Sequence, residues 1–491
     1  MNIKLEPENK QALYLQICSQ IRTLIEAEEI TVGYKLPSER KLADELGVHR
    51  NTVIRAYEEL IADGLVVASR KKPKGYFVGR TGMEERTFSR RFFPLEKAFQ
   101  YEYRTSERKF SENYWKSEEQ EPISLGGMIP DRKIDPIEIL TEYPKRLFCC
   151  NGNENMKMFC RETLHLRENI CKLLSCRNIY VTPKNLQLVT ETNQAIVYII
   201  NLYLREGDTI VAEGPMIPDT YNIFYNRGIN VITVPMEEDG MNLKALEFAL
   251  KSRRPKFIYA MPNFHNPTGI LTSLHKRQQI LKLADYYEVP IIEDDYQNDF
   301  SYMEKRVPNL YSLDANKMVL YINSFTLTVP YAVKTGYAVG PRDFIELLTY
   351  ALEADETVVG NVGAYILNDY IDSGQYMLHL EKLQQHYMRK RDLICSELDK
   401  IKEKGITYEK PRGGLIVWCK LSPRVNERKA YRCIEEANVV VMPGWIFYDD
   451  NPDKAGHIRL CFSNASDAEI VEGIRRIGQA LDEASKEKTN E

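Results

Sequence analysis

Several things are scarce in this chain, and each scarcity closes a route. Cysteine is dilute, with ten in 491 residues. Cys149 and Cys150 are adjacent and the others are scattered, with no CxxC pair and no Cys/His zinc spacing. That pattern argues against a disulfide framework or a structural metal site and for reduced thiols in a cytosolic protein. An excess of basic charge is also missing: 66 Lys and Arg stand against 70 Asp and Glu, for a formal net charge of −4. Any nucleic-acid-binding patch must therefore be local. No apolar run approaches the ~20 residues of a membrane span. The opening MNIKLEPENK has no signal-peptide core. A cytoplasmic protein with no membrane partner is expected. Internal repeats and low-complexity tracts are absent as well.

What is present is a long chain of ordinary globular composition, 43% hydrophobic and 28% charged. Its length suits two or three domains. The first segment is 1–80. Tyr14, Ile17, Ile21, Leu24 and Ile25 recur at helical spacing, which predicts a helix over about 11–28. Pro37-Ser38 starts a short helix, with Ser38 as N-cap, Glu39 in the first turn and Gly47 as its stop. A third helix begins near His49 or Arg50, buries Val53, Tyr57, Leu60 and Ile61, and ends at Gly64. Leu65-Val66-Val67, a basic turn (Arg70, Lys71, Lys72, Pro73, Lys74, Gly75) and Tyr76-Phe77-Val78 read as a two-stranded hairpin. Helix, helix, tight turn, helix, hairpin is the order of a winged helix-turn-helix. Arg50, Asn51, Thr52 and Arg55 lie near the start or on the exposed face of the third helix, where bases and phosphates are contacted. Alone, these residues would equally describe a solvated face. With the hairpin and its basic cluster they point to double-stranded DNA.

Residues 81–120 are charged and aromatic with little apolar periodicity. They read as a linker carrying a short helix at 91–102, part of it docked. From 121 to 485, strand candidates alternate with helices. The strands are Leu186–Val189, Thr209–Val211, Val231–Val234, Phe257–Ala260, Val289–Ile292 and Val319–Ile322. Helices are expected at 194–205 and 274–287. The alternation predicts an α/β domain with a mainly parallel sheet over 121–370. A smaller α+β lobe follows over 371–485. It carries a long helix (about 375–403), strands Gly414–Cys419, Val439–Met442 and His457–Cys461, and a closing helix at 467–483.

KLPSERKLADELGVHRNTVIRAYEELIADGL resembles the GntR type of winged-helix regulator, with His49 where a Ser or Thr usually precedes the arginine. The resemblance implies DNA contacts from Ser38, Arg40, Arg50, Asn51, Thr52, Arg55, Lys74 and Gly75. The third segment resembles fold-type-I aminotransferases, and the two together resemble the MocR family of bacterial transcription regulators. The implied architecture is multidomain: an N-terminal winged helix-turn-helix (α+β) plus an α/β aminotransferase-like domain with its smaller α+β lobe. The implied assembly is a homodimer, arranged head to tail.

In that fold pyridoxal 5'-phosphate needs a carboxylate at its ring nitrogen, donors at its ring hydroxyl and a forked cation for the substrate carboxylate. IIEDDY supplies Asp294 and Tyr296, HNPTG supplies Asn266 and HIRLCFS supplies Arg459. Ser324 sits in the turn after a strand. Each has an ordinary structural reading as a cap, a turn or a surface ion pair. Other features depart from the family. The Schiff-base lysine is expected 33 residues after Asp294, where Leu327 stands, and leucine has no amine. Lys334 aligns with the phosphate-binding arginine. TETNQAI stands for the usual phosphate cup and puts Glu191 at its glycine. Ile217 takes the place of the ring-stacking aromatic, with Tyr221 close by.

The expectation is a DNA-binding regulator without catalysis. Its aminotransferase-like domain serves as an effector-binding and dimerisation module, the effector being a small molecule such as an amino acid or vitamer. Covalent attachment of the cofactor is expected to be absent. The alternative is an aminotransferase, or a regulator, that holds the cofactor through another lysine or non-covalently. A third reading is a plain dimerisation scaffold.

Overall fold

The computed structural model describes residues 3–5, 11–27, 29–31, 33–69, 75–78, 122–131, 133–142, 152–357, 362–448 and 456–485, with the backbone alone at 26 and over 152–162. The proposed linker and its helix at 91–102 lie outside the described residues, as do Arg70, Lys71, Lys72, Pro73 and Lys74 of the hairpin tip and the Cys149-Cys150 pair. Two compact units divide the chain, Met1–Tyr103 and Arg104–Glu491.

In the first unit α1 (Leu13–Glu26), α2 (Glu39–Leu46) and α3 (Arg50–Ala62) precede β1 (Val66–Ser69) and β2 (Gly75–Val78). The periodicity of α3 explains its packing. Val53, Ala56, Tyr57 and Leu60 follow the i, i+3, i+4, i+7 stripe and are fully buried against Ile17, Ile21 and Leu42. Each such aliphatic side chain contributes about 1.5–3 kcal/mol by leaving water. Ile61, expected inside, is only half-buried because it falls at the edge of that stripe. Ser38 caps α2 by accepting from the Lys41 amide, and Gly47 ends it in the left-handed region at φ 65°. The first hairpin strand starts one residue later than expected. The Leu65 amide still donates to the Leu60 carbonyl at 2.9 Å, closing the end of the preceding helix, and is not available to a ladder. The pairing then runs antiparallel from Val66↔Val78 to Ser69↔Gly75.

The second unit is built on an eight-stranded sheet. In chain order its strands are β4 (Leu186–Val189), β5 (Thr209–Gly214), β6 (Asn230–Glu237), β7 (Gly240–Met241), β8 (Phe257–Ala260), β9 (Ile291–Asp294), β10 (Val319–Ser324) and β11 (Gly336–Val339). Their spatial order is β4-β11-β10-β9-β8-β5-β6-β7. The central strands β6, β5, β8, β9 and β10 are parallel, and β11 runs antiparallel to both neighbours. β4, β8 and β9 are buried at every position; β8 (Phe-Ile-Tyr-Ala) reads as a continuous run, whereas β4 buries Gln187 and β9 ends on the buried Glu293 and Asp294. The strand expected at Val289–Ile292 begins two residues later. Pro290 has no N–H for a ladder, so pairing starts at Ile291 and the strand ends on Asp294.

The smaller lobe has a four-stranded antiparallel sheet made of β12 (Ile406–Tyr408), β13 (Ile416–Leu421), β16 (His457–Cys461) and β15 (Met442–Pro443). The helix Gln375–Asp399 and the closing helix Asp467–Ser485 pack against each other, with Leu383, Ile394, Leu398, Ile474, Ile477 and Leu481 in the core. The expected boundary at 370/371 falls inside the helix Val362–Asp372. The single strand expected over Val439–Met442 is two. β14 (Val439–Val440) pairs in parallel with β3 (Ile123–Ser124), while Met442–Pro443 pairs antiparallel with β16. Only Val441 separates them. A buried ion pair also ties the chain's distant parts: Lys390 Nζ donates to Asp131 Oδ2 at 2.6 Å and to the Ser463 carbonyl at 2.9 Å. No helix among the described residues is long and apolar enough to cross a membrane.

Candidate functional site

Two regions concentrate polar side chains that packing does not demand. The first is the outer face of α3. His49 Nδ1 accepts from the Asn51 amide at 3.2 Å, so the imidazole takes the capping role usually given to a hydroxyl. Asn51, Arg50 and Arg55 are exposed and Thr52 is half-buried. Arg50 is held by Glu39, with Nη2 2.6 Å and Nε 3.1 Å from the same carboxylate oxygen. Tyr76 of the hairpin donates to the other oxygen at 2.6 Å. These donors hold the Glu39 carboxyl below its usual range, the tyrosine hydrogen bond first. Arg55 lies 4.0 Å from the Tyr14 ring centroid and donates to that hydroxyl at 3.2 Å. Ser38 and Arg40 are exposed at the start of α2. Gly75 opens β2 at φ 147°, and a Cβ there would lie 3.0 Å from Lys35 Cε. Of the residues expected to face DNA, Lys74 alone lies outside the described residues.

The second region is a cavity of about 560 Å³ at the C-terminal ends of β9 and β10, where open α/β sheets take ligands. Asn266, Asp294, Tyr296, Ser324, Leu327 and Arg459 all line it. Asp294 is 2% exposed. Its Oδ2 accepts from the Tyr259 hydroxyl at 2.8 Å, and its Oδ1 has no hydrogen-bond partner. Burial pushes its pKa up to about 7, against the opposing pull of the Tyr259 hydrogen bond. Asn266 links the rest. Its Nδ2 donates to Tyr296 Oη at 2.9 Å and its Oδ1 accepts from Arg459 Nη1 at 2.9 Å. Arg459 Nη2 donates to the Gly126 carbonyl at 2.8 Å, while Nε is buried without a partner. Two residues that line the cavity thus each keep a buried polar atom without a partner, a carboxylate oxygen of Asp294 and the Nε–H of Arg459.

The other end of the cavity is acidic. Glu191 immediately precedes the helix Thr192–Tyr203. Its carboxylate accepts from Ser324 Oγ at 2.7 Å and from Thr326 Oγ1. Leu327 is 7% exposed and packs into the core of the smaller lobe. No lysine is among the described residues that line the cavity. Lys334 is not brought to its wall. It closes the turn Tyr331–Val333 at φ 31°, and its Nζ lies 5.3 Å from the Tyr331 ring centroid. Ile217 lines the cavity; Tyr221 does not, and its ring stacks on Tyr225 at 6.0 Å.

These side chains fit pyridoxal phosphate at one end only. The free Oδ1 of Asp294 suits a protonated ring nitrogen. At the phosphate end, the hydroxyl protons that would serve an anion are committed to Glu191. A carboxylate ~4 Å from a phosphate charge opposes it by about 4 kcal/mol per unit charge at an effective dielectric of ~20. The cofactor as a whole does not fit.

Sequence reasoning missed Thr326, Tyr259 and the segment Ser124–Ile129 that closes the cavity from far along the chain. The pair Gly126-Gly127 was its one available signal. A Cβ on Gly126 would lie 3.1 Å from Val440 Cγ1, so the close approach there favours glycine.

Comparison with known proteins bears on both regions. The family described as aminotransferase class I and II matches residues 154–477. Bacterial regulatory proteins of the gntR family match residues 13–78. The HTH-type transcriptional regulator YdfD of Bacillus subtilis is 28% identical over 481 residues, covering 96% of each chain. The 2-aminoadipate transaminase of Thermus thermophilus is 29% identical over 363 residues, which cover 73% of this chain and 90% of its own. Among solved structures, an alpha-aminoadipate aminotransferase from Thermus thermophilus, complexed with N-(5'-phosphopyridoxyl)-L-leucine, superposes with a TM-score of 0.67 at 26% identity. It covers 74% of this chain and 92% of its own.

Proposed function

Because the chain belongs to the aminotransferase class I and II family and carries a gntR-family domain ahead of it, the MocR-type architecture, we propose that it is a DNA-binding transcription regulator whose second unit binds a small effector without Schiff-base chemistry. The observation that carries this reading is Leu327, set in the cavity among Asp294, Tyr296, Asn266 and Arg459. Leucine offers no amine to form an imine and no base to move a proton. The surviving polar groups orient a bound molecule. Arg459 offers N–H groups to a carboxylate, Asn266 fixes that guanidinium and Tyr296, and Asp294 accepts from or donates to a nitrogen or hydroxyl according to its protonation.

In the same reading α3 enters the major groove, with Arg50 and Asn51 at base edges and Arg55, Arg40 and Ser38 at phosphates. Two heads on a head-to-tail homodimer span paired half-sites. The effector acts by binding two arrangements of that dimer unequally. A cytoplasmic location follows from this role.

The test is an absorbance spectrum of the purified protein with pyridoxal phosphate, before and after borohydride, with intact mass. The reading expects no aldimine band and no fixed adduct. A borohydride-fixed mass increase on a specific lysine would overturn it in favour of a working aminotransferase. Sequence-specific binding to DNA upstream of its own operon, lost on raising salt, is the parallel expectation for the first unit.

A further inference from the structure

The acidic end of the cavity has a chemistry of its own. Ser324 and Thr326 both donate their hydroxyl protons to the Glu191 carboxylate, and Ser324 Oγ is also met by the Thr326 amide at 3.1 Å. An incoming anion therefore finds acceptors where a phosphate cup would hold donors. An incoming ammonium finds a half-buried carboxylate and two hydroxyl oxygens beside it. Charge points the same way. Among the described residues, the lining holds three carboxyl groups, Glu191, Asp219 and Asp294, and one guanidinium, Arg459. With Asp294 neutral the balance is still negative. Two buried atoms remain unpartnered, Asp294 Oδ1 and Arg459 Nε. The first takes a donor and the second takes an acceptor.

Resting on the effector-binding reading above, we propose that Glu191 converts this end of the cavity into an ammonium site and that the ligand class is the unphosphorylated diamino acids. Arg459 takes the ligand's carboxylate and Glu191 takes its side-chain ammonium. The free oxygen of Asp294 is left for a further N–H. A phosphorylated ligand is rejected at the same position by like charge and because the Ser324 and Thr326 hydroxyl protons are committed to Glu191.

Isothermal titration calorimetry on the full-length protein tests this, with L-lysine, L-ornithine, L-norleucine, pyridoxal phosphate and inorganic phosphate as probes. At least one of the two diamino acids is expected to bind about tenfold or more tightly than norleucine, which lacks the second ammonium. In Glu191→Gln that advantage collapses, and phosphate or pyridoxal phosphate gains affinity over the wild type. The gain of phosphate binding also shows that the variant is folded. Equal binding of norleucine, no binding of either diamino acid, an advantage that survives in Glu191→Gln, or equal phosphate affinity in both proteins would each overturn the assignment. The functional reading fails differently. Diamino-acid binding that leaves DNA affinity untouched removes the effector role and leaves the ammonium site standing. A borohydride-fixed aldimine removes the non-covalent reading itself.

Discussion

The two units treat charge in opposite ways. On α3, Arg50, Asn51 and Arg55 face water, and Arg50 leans on Glu39. Around the cavity, Asp294, Asn266 and Arg459 are at most 5% exposed; Asn266 bonds to Arg459, and Asp294 accepts from Tyr259. Exposed groups are screened and adjust to a long polyanion at little expense. Buried groups act in a weaker dielectric, so each replacement there changes what the site accepts. The contrast separates a surface that tolerates substitution from a cavity in which single side chains decide what is accepted. Glu191 reaches the cavity from the start of a helix and bonds to Ser324 at the end of β10, while Leu327 lies in the turn beyond that strand.

The contrast can be broken first where burial is deepest. Asp131→Ala leaves Lys390 Nζ, 1% exposed, without its carboxylate. It should lower unfolding stability by about 3–5 kcal/mol in urea titrations. A loss under 1 kcal/mol would mean that the burial of this pair is not what makes it costly to break.

Next is Asp294→Asn. The carboxyl is raised on folding from 3.8 to about 7. The folded state therefore holds the proton more tightly than the unfolded chain. Asp294 favours folding below its unfolded pKa, and that contribution declines as pH rises through the window from about 4 to 7. The Asp294→Asn variant should be the more stable protein at pH 8 by roughly 2–4 kcal/mol, and the difference should vanish near pH 4. Thermal melts at the two pH values check the sign.

Arg50→Ala sharpens the exposed side. It should weaken binding to a specific site by about 1–3 kcal/mol in fluorescence anisotropy and relax preference at one base position. Uniform weakening on every sequence would instead make Arg50 a phosphate contact. The smallest effect is expected at Arg22→Ala. Its ion pair with Asp63 is 2.5 Å long, but both side chains are more than a third exposed. Stability should change by no more than about 1 kcal/mol.

Much of this molecule is legible in its sequence wherever one local rule decides. Leu186–Val189, between Asn185 and Thr190, and Phe257–Ala260, after Lys256, are short and mainly apolar, and their strands match those bounds. Ser38 and Gly47 mark the ends of α2 because capping needs only neighbouring atoms. Asn266, Asp294 and Arg459 meet in one cavity, and each sits in a short motif, Asp294 at a strand end, Asn266 in a turn and Arg459 within β16. Failures occur where distant chain decides. Thr326 matters only because Glu191, 135 positions away, comes to it. Lys334 aligns with a family position, yet the turn that it closes leaves it off the cavity wall. Val439–Met442 reads as one strand because all four residues are apolar, and periodicity carries no information on which sheet each half joins.

That last splice has a mechanical consequence. Val440 and Met442 both line the cavity, and each is stitched to a different sheet. The slack between the two seams is one residue, with Cα atoms ~3.8 Å apart per step. Leu125 doubles the stitch, donating to the Val440 carbonyl at 2.8 Å and accepting from the Cys461 amide at 2.7 Å. Neither seam can travel by as much as a residue without tearing the other. A molecule that pushes on this wall therefore loads both sheets at once, as a wedge loads a rivet.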